Sequence, residues 1–145
     1  MKMKIKVKRI DSRSKIPEYA TPGSSGFDFF CLMDTVLPPN TWRMIQTGLS
    51  MEIPEGFEIQ IRSRSSAALE HGIIILNQPG TIDSDYRGPI GLITWNTTNI
   101  AMTVERDTRI AQGVLCPVLK AEFEEVPELS KSERGEGGFG STGEA

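Results

Sequence analysis

The sequence predicts an all-β fold, a sandwich or barrel of many short strands, on three observations. Its 145 residues include 14 glycines and 9 prolines, a density that breaks helix interiors and excludes a long-helix or coiled-coil architecture. Its apolar residues alternate with polar ones over short runs, a strand signal rather than a helical one. Turn-forming clusters separate those runs at close spacing. The length fits one domain, able to bury a core without a disulfide or metal staple.

Taken in order, the first element is a strand in which Lys2, Lys4, Lys6 and Lys8 alternate with Met3, Ile5 and Val7. The lysine row reads as a solvated face that discourages edge pairing. This start has no continuous apolar run, so it does not read as a secretory signal. A half-buried strand follows where Phe57, Ile59 and Ile61 alternate with Glu58, Gln60 and Arg62. Ser65 to His71 is the one helical stretch, with Ser65 or Ser66 as its cap and Ala67-Ala68-Leu69 propagating it. Ile73 to Leu76 reads as a fully buried strand, and Ile90–Trp95 and Arg109–Leu119 as two more. Turn signals fall at Pro38-Pro39-Asn40, Pro54-Glu55-Gly56, Gln78-Pro79-Gly80, Arg87-Gly88-Pro89 and Thr97-Thr98-Asn99.

The chain divides at its end. Residues 1–129 form the β domain, and residues 130–145 have little apolar content. Gly135, Gly137, Gly138, Gly140 and Gly143 crowd into that end. It cannot build a core and is expected to be mobile. Phe139, an aromatic ring among small residues and hydroxyls, argues against a merely frayed terminus.

Charge and cysteine usage exclude some partners. The formal net charge is -3, which gives no reason to expect nucleic acid or membrane as a partner. No apolar stretch approaches the roughly 18 residues of a membrane helix. Cys31 and Cys116 show no metal-ligand spacing and read as reduced, buried thiols of a cytoplasmic protein.

Four segments carry chemistry. Arg62-Ser63-Arg64-Ser65-Ser66 places guanidinium groups and hydroxyls at the mouth of a short helix, a combination suited to phosphate. Gly80 to Gly88 sets Asp83, Asp85 and Tyr86 in one turn after a buried strand. Paired carboxylates there can orient a water or hold a cation, and an Asx-stabilised hairpin is the structural alternative. Gln112 lies in an otherwise apolar strand and needs a partner, from the protein or from a ligand. In Arg134 to Gly143, glycines permit close backbone approach, Arg134, Ser141 and Thr142 can bond phosphate oxygens, and Phe139 can stack on a flat ring. That stretch lacks the Gly-Lys-Ser/Thr ending of a P-loop. Together the four segments suggest a phosphorylated ligand with an aromatic base and a tail that closes over it. They do not fix the reaction.

In order, these segments resemble the five motifs of the homotrimeric deoxyuridine triphosphatases, the dUTPase family. The motifs are Ala20 to Asp28, Arg64-Ser65-Ser66 with Ala68, Asn77 to Gly88, Arg109-Ile110-Ala111-Gln112, and Arg134 to Gly143. The resemblance covers nearly the whole chain. It implies a jelly-roll-like β-barrel with one short helix and a flexible C-terminal tail. It also implies cytoplasmic hydrolysis of dUTP to dUMP and pyrophosphate, which limits uracil incorporation into DNA and supplies dUMP for dTMP synthesis.

In that resemblance Asp83 is the base, activating a water for in-line attack on the α-phosphorus. Asn77, Gly80, Ile82, Tyr86 and Phe139 hold uracil and deoxyribose. Arg64, Ser65, Ser66, Gln112, Arg134, Gly140, Ser141 and Thr142 hold phosphates. Asp28 and Asp85 support. Mg²⁺ binds through substrate phosphates and water without a direct protein ligand, with a water-mediated link to Asp28 allowed. Sites form between the subunits of a homotrimer. Ser66 stands where the second motif more often has glycine, and Pro79 removes one N–H from the uracil hairpin. His71 reads as structural, and Trp42 and Trp95 as core or interface packing. Two rivals share the fold: a dCTP deaminase, and a nucleotide-sensing regulator. The deaminase pairs its Arg-Ser-Ser turn with a glutamate in a later strand, and Ile90–Trp95 contains no carboxylate.

Overall fold

A computed structural model describes residues 2–143; Met1, Glu144 and Ala145 lie outside it, and with them the last two residues of the expected lid. The described chain is all-β with one short helix. Its strands are β1 (Lys6–Arg9), β2 (Phe27–Phe30), β3 (Thr35–Leu37), β4 (Trp42–Gln46), β5 (Leu49–Glu52), β6 (Phe57–Ser63), β7 (Ile73–Ile75), β8 (Gly80–Ile82), β9 (Gly91–Asn96), β10 (Met102–Val104) and β11 (Arg109–Pro117), and α1 (Ser65–His71) joins β6 to β7. They pair as β1-β5, β10-β3, β2-β11-β6-β8 and β4-β9-β7. The architecture is jelly-roll-like, but the four sheets do not join into one closed ring.

Alternation produced the strands it marked. In β1 the lysines are exposed and Val7 is half-buried, and Ile5 and Val7 pack against the core. Lys6 pairs with Glu52 across to β5 at 2.9 Å. Ile59 and Ile61 of β6 point into the core. β11 stops at Pro117, which has no N–H to extend a ladder. Strands such as β2 carry no alternation because all four residues of Phe-Asp-Phe-Phe are buried. A strand covered on both faces loses the period-2 signal.

The core gathers Phe29, Leu37, Ile45, Ile59, Ile75 and Leu92, all at most 1% exposed. Removing a side chain such as Ile59 to alanine costs about 2–5 kcal/mol. Buried Asn96 is satisfied: its Nδ2 donates to the carbonyls of Leu37, Pro38 and Ile100, and its Oδ1 accepts from Thr98 N. That bonding pins the Thr97–Asn99 turn to the core.

The helix occupies the expected residues, but its cap differs. Arg64 is the N-cap, in extended conformation, and no side chain caps the first turn. Ser65 and Ser66 lie inside the helix, because β6 keeps the chain extended to Ser63. The Ser63 hydroxyl instead accepts the N–H of Ile75 at 2.8 Å, tying the end of β6 to β7. Gly72 ends the helix in the left-handed region at φ 61°. The cysteines are both free, but only Cys31 is buried; Cys116 on β11 is partly exposed, so the expectation of two buried thiols fails for it. Cys116 and its neighbours Val114 and Leu115 lie on the less completely covered end of β11.

Candidate active site

Two clusters of polar residues stand at opposite ends of β6. At the C-terminal end, strand register brings Asp28, Arg64 and Gln112 together. Gln112 on β11 faces Asp28 on β2 and Arg62 on β6. Its Nε2 donates to Ser63 O at 3.0 Å, so the partner that this residue needs comes from the protein. Its Oε1 lies over Gly26: a Cβ on that residue would stand 2.5 Å away, so a larger residue at this position of the first motif would displace the Gln112 amide.

Asp28 is 7% exposed and has both carboxylate oxygens engaged. Arg64 Nε lies 3.0 Å from Oδ1, and Arg109 Nε lies 3.2 Å from Oδ2. A buried carboxylate needs such partners to stay charged. Arg64 Nη1 also donates to Arg109 O at 3.1 Å, and Arg109 Nη2 reaches Glu18 Oε1 at 3.2 Å. Ser65 is exposed and Ser66 partly so. The first N–H groups of a helix have no intrahelical partner, so these two residues present free donors beside the arginine pair.

β7 and β8 do not pair as the expected hairpin: β7 pairs with β9 and β8 with β6. The Asn77–Pro79 turn therefore joins two sheets at the Arg64 end of β6, and β8 runs from Gly80 opposite Ile61 to Ile82 opposite Ile59, toward the other end. The Gln78–Pro79 peptide bond is cis, and Gln78 Oε1 accepts the N–H of Ser63 at 3.1 Å. The Asn77 side-chain amide lies against Gly80, 3.4 Å from where a Cβ would stand. Ile82 is buried and faces Ile59. Asp83 follows directly and is exposed, as are Asp85 and Tyr86. Asp83 lines a groove of about 820 Å³ with Glu52, Glu55, Glu58, Arg87 and Lys120.

The turn around Asp83 is held by groups other than its carboxylates. Tyr86 N donates to Asp83 O at 3.2 Å, the Tyr86 hydroxyl to Pro89 O at 2.9 Å, and Arg87 Nη1 to Ser84 O at 2.7 Å. The Tyr86 ring lies across Gly88, whose Cβ, were there one, would meet the ring Cζ at 2.6 Å. Among the described residues no donor bonds the carboxylate of Asp83 or Asp85. The Asx-stabilised alternative therefore does not account for them, and the Asp83 carboxylate stands open to solvent.

Residues 118–143 carry no strand or helix. Val118 N bonds Gly56 O, and beyond it the described residues form only local turns. Arg134 Nε donates to Gly137 O at 2.7 Å, and N–H to carbonyl bonds link Gly137 to Arg134, Ser141 to Gly138 and Gly143 to Gly140. Phe139 is fully exposed at φ 51°. The structure therefore does not bring Arg134, Phe139, Gly140, Ser141 and Thr142 to either cluster within one chain.

Sequence reasoning gave Arg109 no role, though it sits in the fourth motif, and it passed over Glu18; it read Ser63 only as one hydroxyl of the phosphate segment and Gln78 only as part of a turn. Arg109 was detectable as a charge at the start of an apolar strand. Glu18 carries no signal in a single sequence. His71 is exposed in the last turn of α1, 3.9 Å from Glu70, away from Asp83. Trp42 is 57% exposed and stands opposite Trp95 on the outer face of β4-β9-β7. Trp42 therefore lies outside the core, while Trp95 is half-buried with its indole Nε1 enclosed. Among the described residues no helix is long and apolar enough to cross a membrane.

Comparison with known proteins accounts for nearly all of the chain. A match to the dUTPase family spans residues 12–143. The chain is 50% identical over 141 residues to the deoxyuridine 5'-triphosphate nucleotidohydrolase of Nautilia profundicola, covering 97% of this chain and 99% of that one. It is 49% identical over 142 residues to the enzyme of the same name from a Hydrogenobaculum species, with 97% and 99% covered. Among solved structures, the dUTPase of Staphylococcus bacteriophage 80alpha with dUpNHpp superposes with a TM-score of 0.89 at 28% identity, over 97% of this chain and 98% of that one.

Proposed function

The chain belongs to the dUTPase family and hydrolyses dUTP to dUMP, and from that premise we propose how its residues divide the work. Asp83 takes the proton of a water that attacks the α-phosphorus in line. The bond from that phosphorus to the bridging oxygen breaks, pyrophosphate leaves with the electron pair, and dUMP remains. The observation that carries this role is the Asp83 carboxylate itself: exposed, fixed by its backbone at the end of β8, and bonded by no other described group.

Asn77, Gly80 and Ile82 hold the uracil edge, and Tyr86 packs under the deoxyribose where a 2′-hydroxyl would need room. Arg64, Ser65, Ser66 and Gln112 bind phosphates through charge-assisted and neutral hydrogen bonds. Asp28 supports Arg64 rather than a cation, since both its oxygens already face guanidinium groups. Asp85 supports the Asp83 turn. Residues 130–145 close as a lid over the β domain of residues 1–129. In that lid Phe139 covers the base, and Arg134, Gly140, Ser141 and Thr142 reach the terminal phosphates.

Mg²⁺ fits as a companion of the triphosphate. Among the described residues no three His, Cys, Asp or Glu side chains gather to hold an ion by themselves. The oxygens of the substrate would supply most ligands, and the ion would neutralise charge on the leaving pyrophosphate.

The assembly is read as a homotrimer with sites between subunits, and the separation of the two clusters supports the sharing of each site between copies. Asp83 lies one residue past the Ile82–Ile59 pair, while Arg64 follows the far end of β6. One chain does not bring its own base to its own phosphate cluster; a neighbouring copy can. The outer face of β4-β9-β7, with Trp42, Met44, Ile93 and Trp95, supplies apolar surface for such contact. The proposed setting is the cytoplasm, where the enzyme would limit uracil incorporation into DNA and supply dUMP for dTMP synthesis.

The test is product analysis across dUTP, dCTP, dTTP and UTP with Mg²⁺. The expected result is pyrophosphate released from dUTP above the others. Ammonia from dCTP without pyrophosphate would identify a deaminase, and tight dUTP binding without turnover a regulator.

A further inference from the structure

Asp28 does not grip Arg64 in the usual way. A lone carboxylate beside a guanidinium favours the forked arrangement, with both oxygens on one arginine. Here the two oxygens are divided, Oδ1 to Arg64 Nε at 3.0 Å and Oδ2 to Arg109 Nε at 3.2 Å. Arg64 spends its Nε–H on Asp28 and one Nη1 hydrogen on Arg109 O. Of the five guanidinium hydrogens, the two on Nη2 and one on Nη1 stay unclaimed by these partners.

Arg109 is well placed to enforce that division. A bulge interrupts the β11–β2 ladder between Arg109 and Ala111, and bulges re-aim side chains. The guanidinium carbon lies 5.7 Å from the Phe30 ring centroid, over its face. Its Nη2 is held by Glu18, whose backbone carbonyl in turn accepts the N–H of Asp28 at 2.8 Å. Glu18 lies outside all five motifs, yet it closes the chain Glu18–Arg109–Asp28–Arg64.

We propose that Arg109, braced by Glu18 and Phe30, is a positioning residue for the phosphate site. It occupies one oxygen of Asp28 and so keeps the outer hydrogens of Arg64 available to the triphosphate. Without it, Asp28 turns both oxygens onto Arg64, claims one Nη2 hydrogen as well as Nε–H, and so withdraws one of the three hydrogens left for phosphate and turns the guanidinium toward itself. The inference rests on the reading of Arg64 as a phosphate ligand.

The experiment measures binding of a non-hydrolysable imido analogue of dUTP, with deoxyuridine as a phosphate-free control. Arg109→Gln is expected to weaken the analogue roughly tenfold or more, the scale on which one charge-assisted hydrogen bond counts. Deoxyuridine binding stays unchanged, and Arg109→Lys recovers most of the loss. In an Asp28→Asn background, where no carboxylate can seize Arg64, replacing Arg109 changes affinity by less than about twofold. An equal loss for deoxyuridine would point to general structural damage. A full further loss in the Asp28→Asn background would mean that Arg109 meets phosphate itself. Either result overturns the proposal. If Arg64→Gln leaves analogue affinity untouched, the phosphate reading of Arg64 fails first, and Arg109 with it.

Discussion

Asp83 and Arg64 stand at opposite ends of one strand. Ile82 pairs with Ile59, which places Asp83 near Glu58, with which it shares a groove. Arg64 follows Ser63, the last residue of β6. At about 3.3 Å per strand residue, the stretch from Glu58 to Arg64 spans about 20 Å. That is far more than the separation between a water-activating base and a group holding the phosphates of the same nucleotide.

Two inactive chains should therefore repair each other. Asp83→Asn and Arg64→Gln proteins, each alone, have little activity. Unfolded together and refolded as a mixture, they regain a substantial fraction, because some sites combine an intact Asp83 with an intact Arg64. Pyrophosphate release from the mixture checks this. A mixture as inactive as its parts would mean that both groups serve one site within one chain.

Asp83→Asn keeps the side chain's size and removes its basicity. Turnover is expected to fall by about two to four orders of magnitude, the scale of general-base catalysis. Affinity for an imido analogue of dUTP should change little, since no described group bonds that carboxylate. Steady-state kinetics beside equilibrium titration separates the two effects, and unchanged turnover would remove Asp83 from the mechanism.

Tail truncation after Ser132 should leave the fold intact, because the residues beyond it make only local bonds. Activity should drop at least tenfold through loss of Arg134, Phe139, Ser141 and Thr142, a lid's contribution to orientation. The pairing of an unaltered melting temperature with lost activity is the signature. A truncated chain with full activity would reduce the tail to a frayed end.

Tyr86→Ala removes the ring that lies across Gly88 and donates to Pro89 O. The preference for dUTP over UTP, measured as a ratio of kcat/KM, should narrow by about tenfold, since one steric contact of this kind is worth roughly 1–3 kcal/mol. An unaltered ratio would place sugar recognition elsewhere.

The two thiols should differ in reactivity. Burial pushes the Cys31 thiol up from its ordinary value, against weaker opposing hydrogen bonds from Thr35 and Met33. Cys31 thus stays protonated above the pH at which a free thiol ionises, and only the thiolate reacts. Titration of the native protein with an aromatic disulfide should modify the partly exposed Cys116 quickly. Cys31 should follow only on unfolding. Two equally fast thiols would contradict its burial.

Much of this was legible in the sequence because local rules govern it. The turn at Pro54-Glu55-Gly56 needs a residue at positive φ, and Gly56 has it at 84°. The alternation of Phe57, Ile59 and Ile61 gave β6 its inward face. The helix emerged from Ala67-Ala68-Leu69. β2 was silent, since burial on both faces erases the period-2 pattern, and the cap was misplaced because β6 held the chain extended through Arg64.

The sequence by itself determined the fold class, the five motifs and hence the chemistry expected of them, because turn residues, periodicity and side-chain chemistry are properties of short segments. Only the tertiary structure decided which of those segments meet. Register, a property of paired strands, set Gln112 opposite Asp28 and divided Asp28 between Arg64 and Arg109. The same register sent Asp83 to the far end of β6, so the motifs of one chain lie in two clusters rather than one.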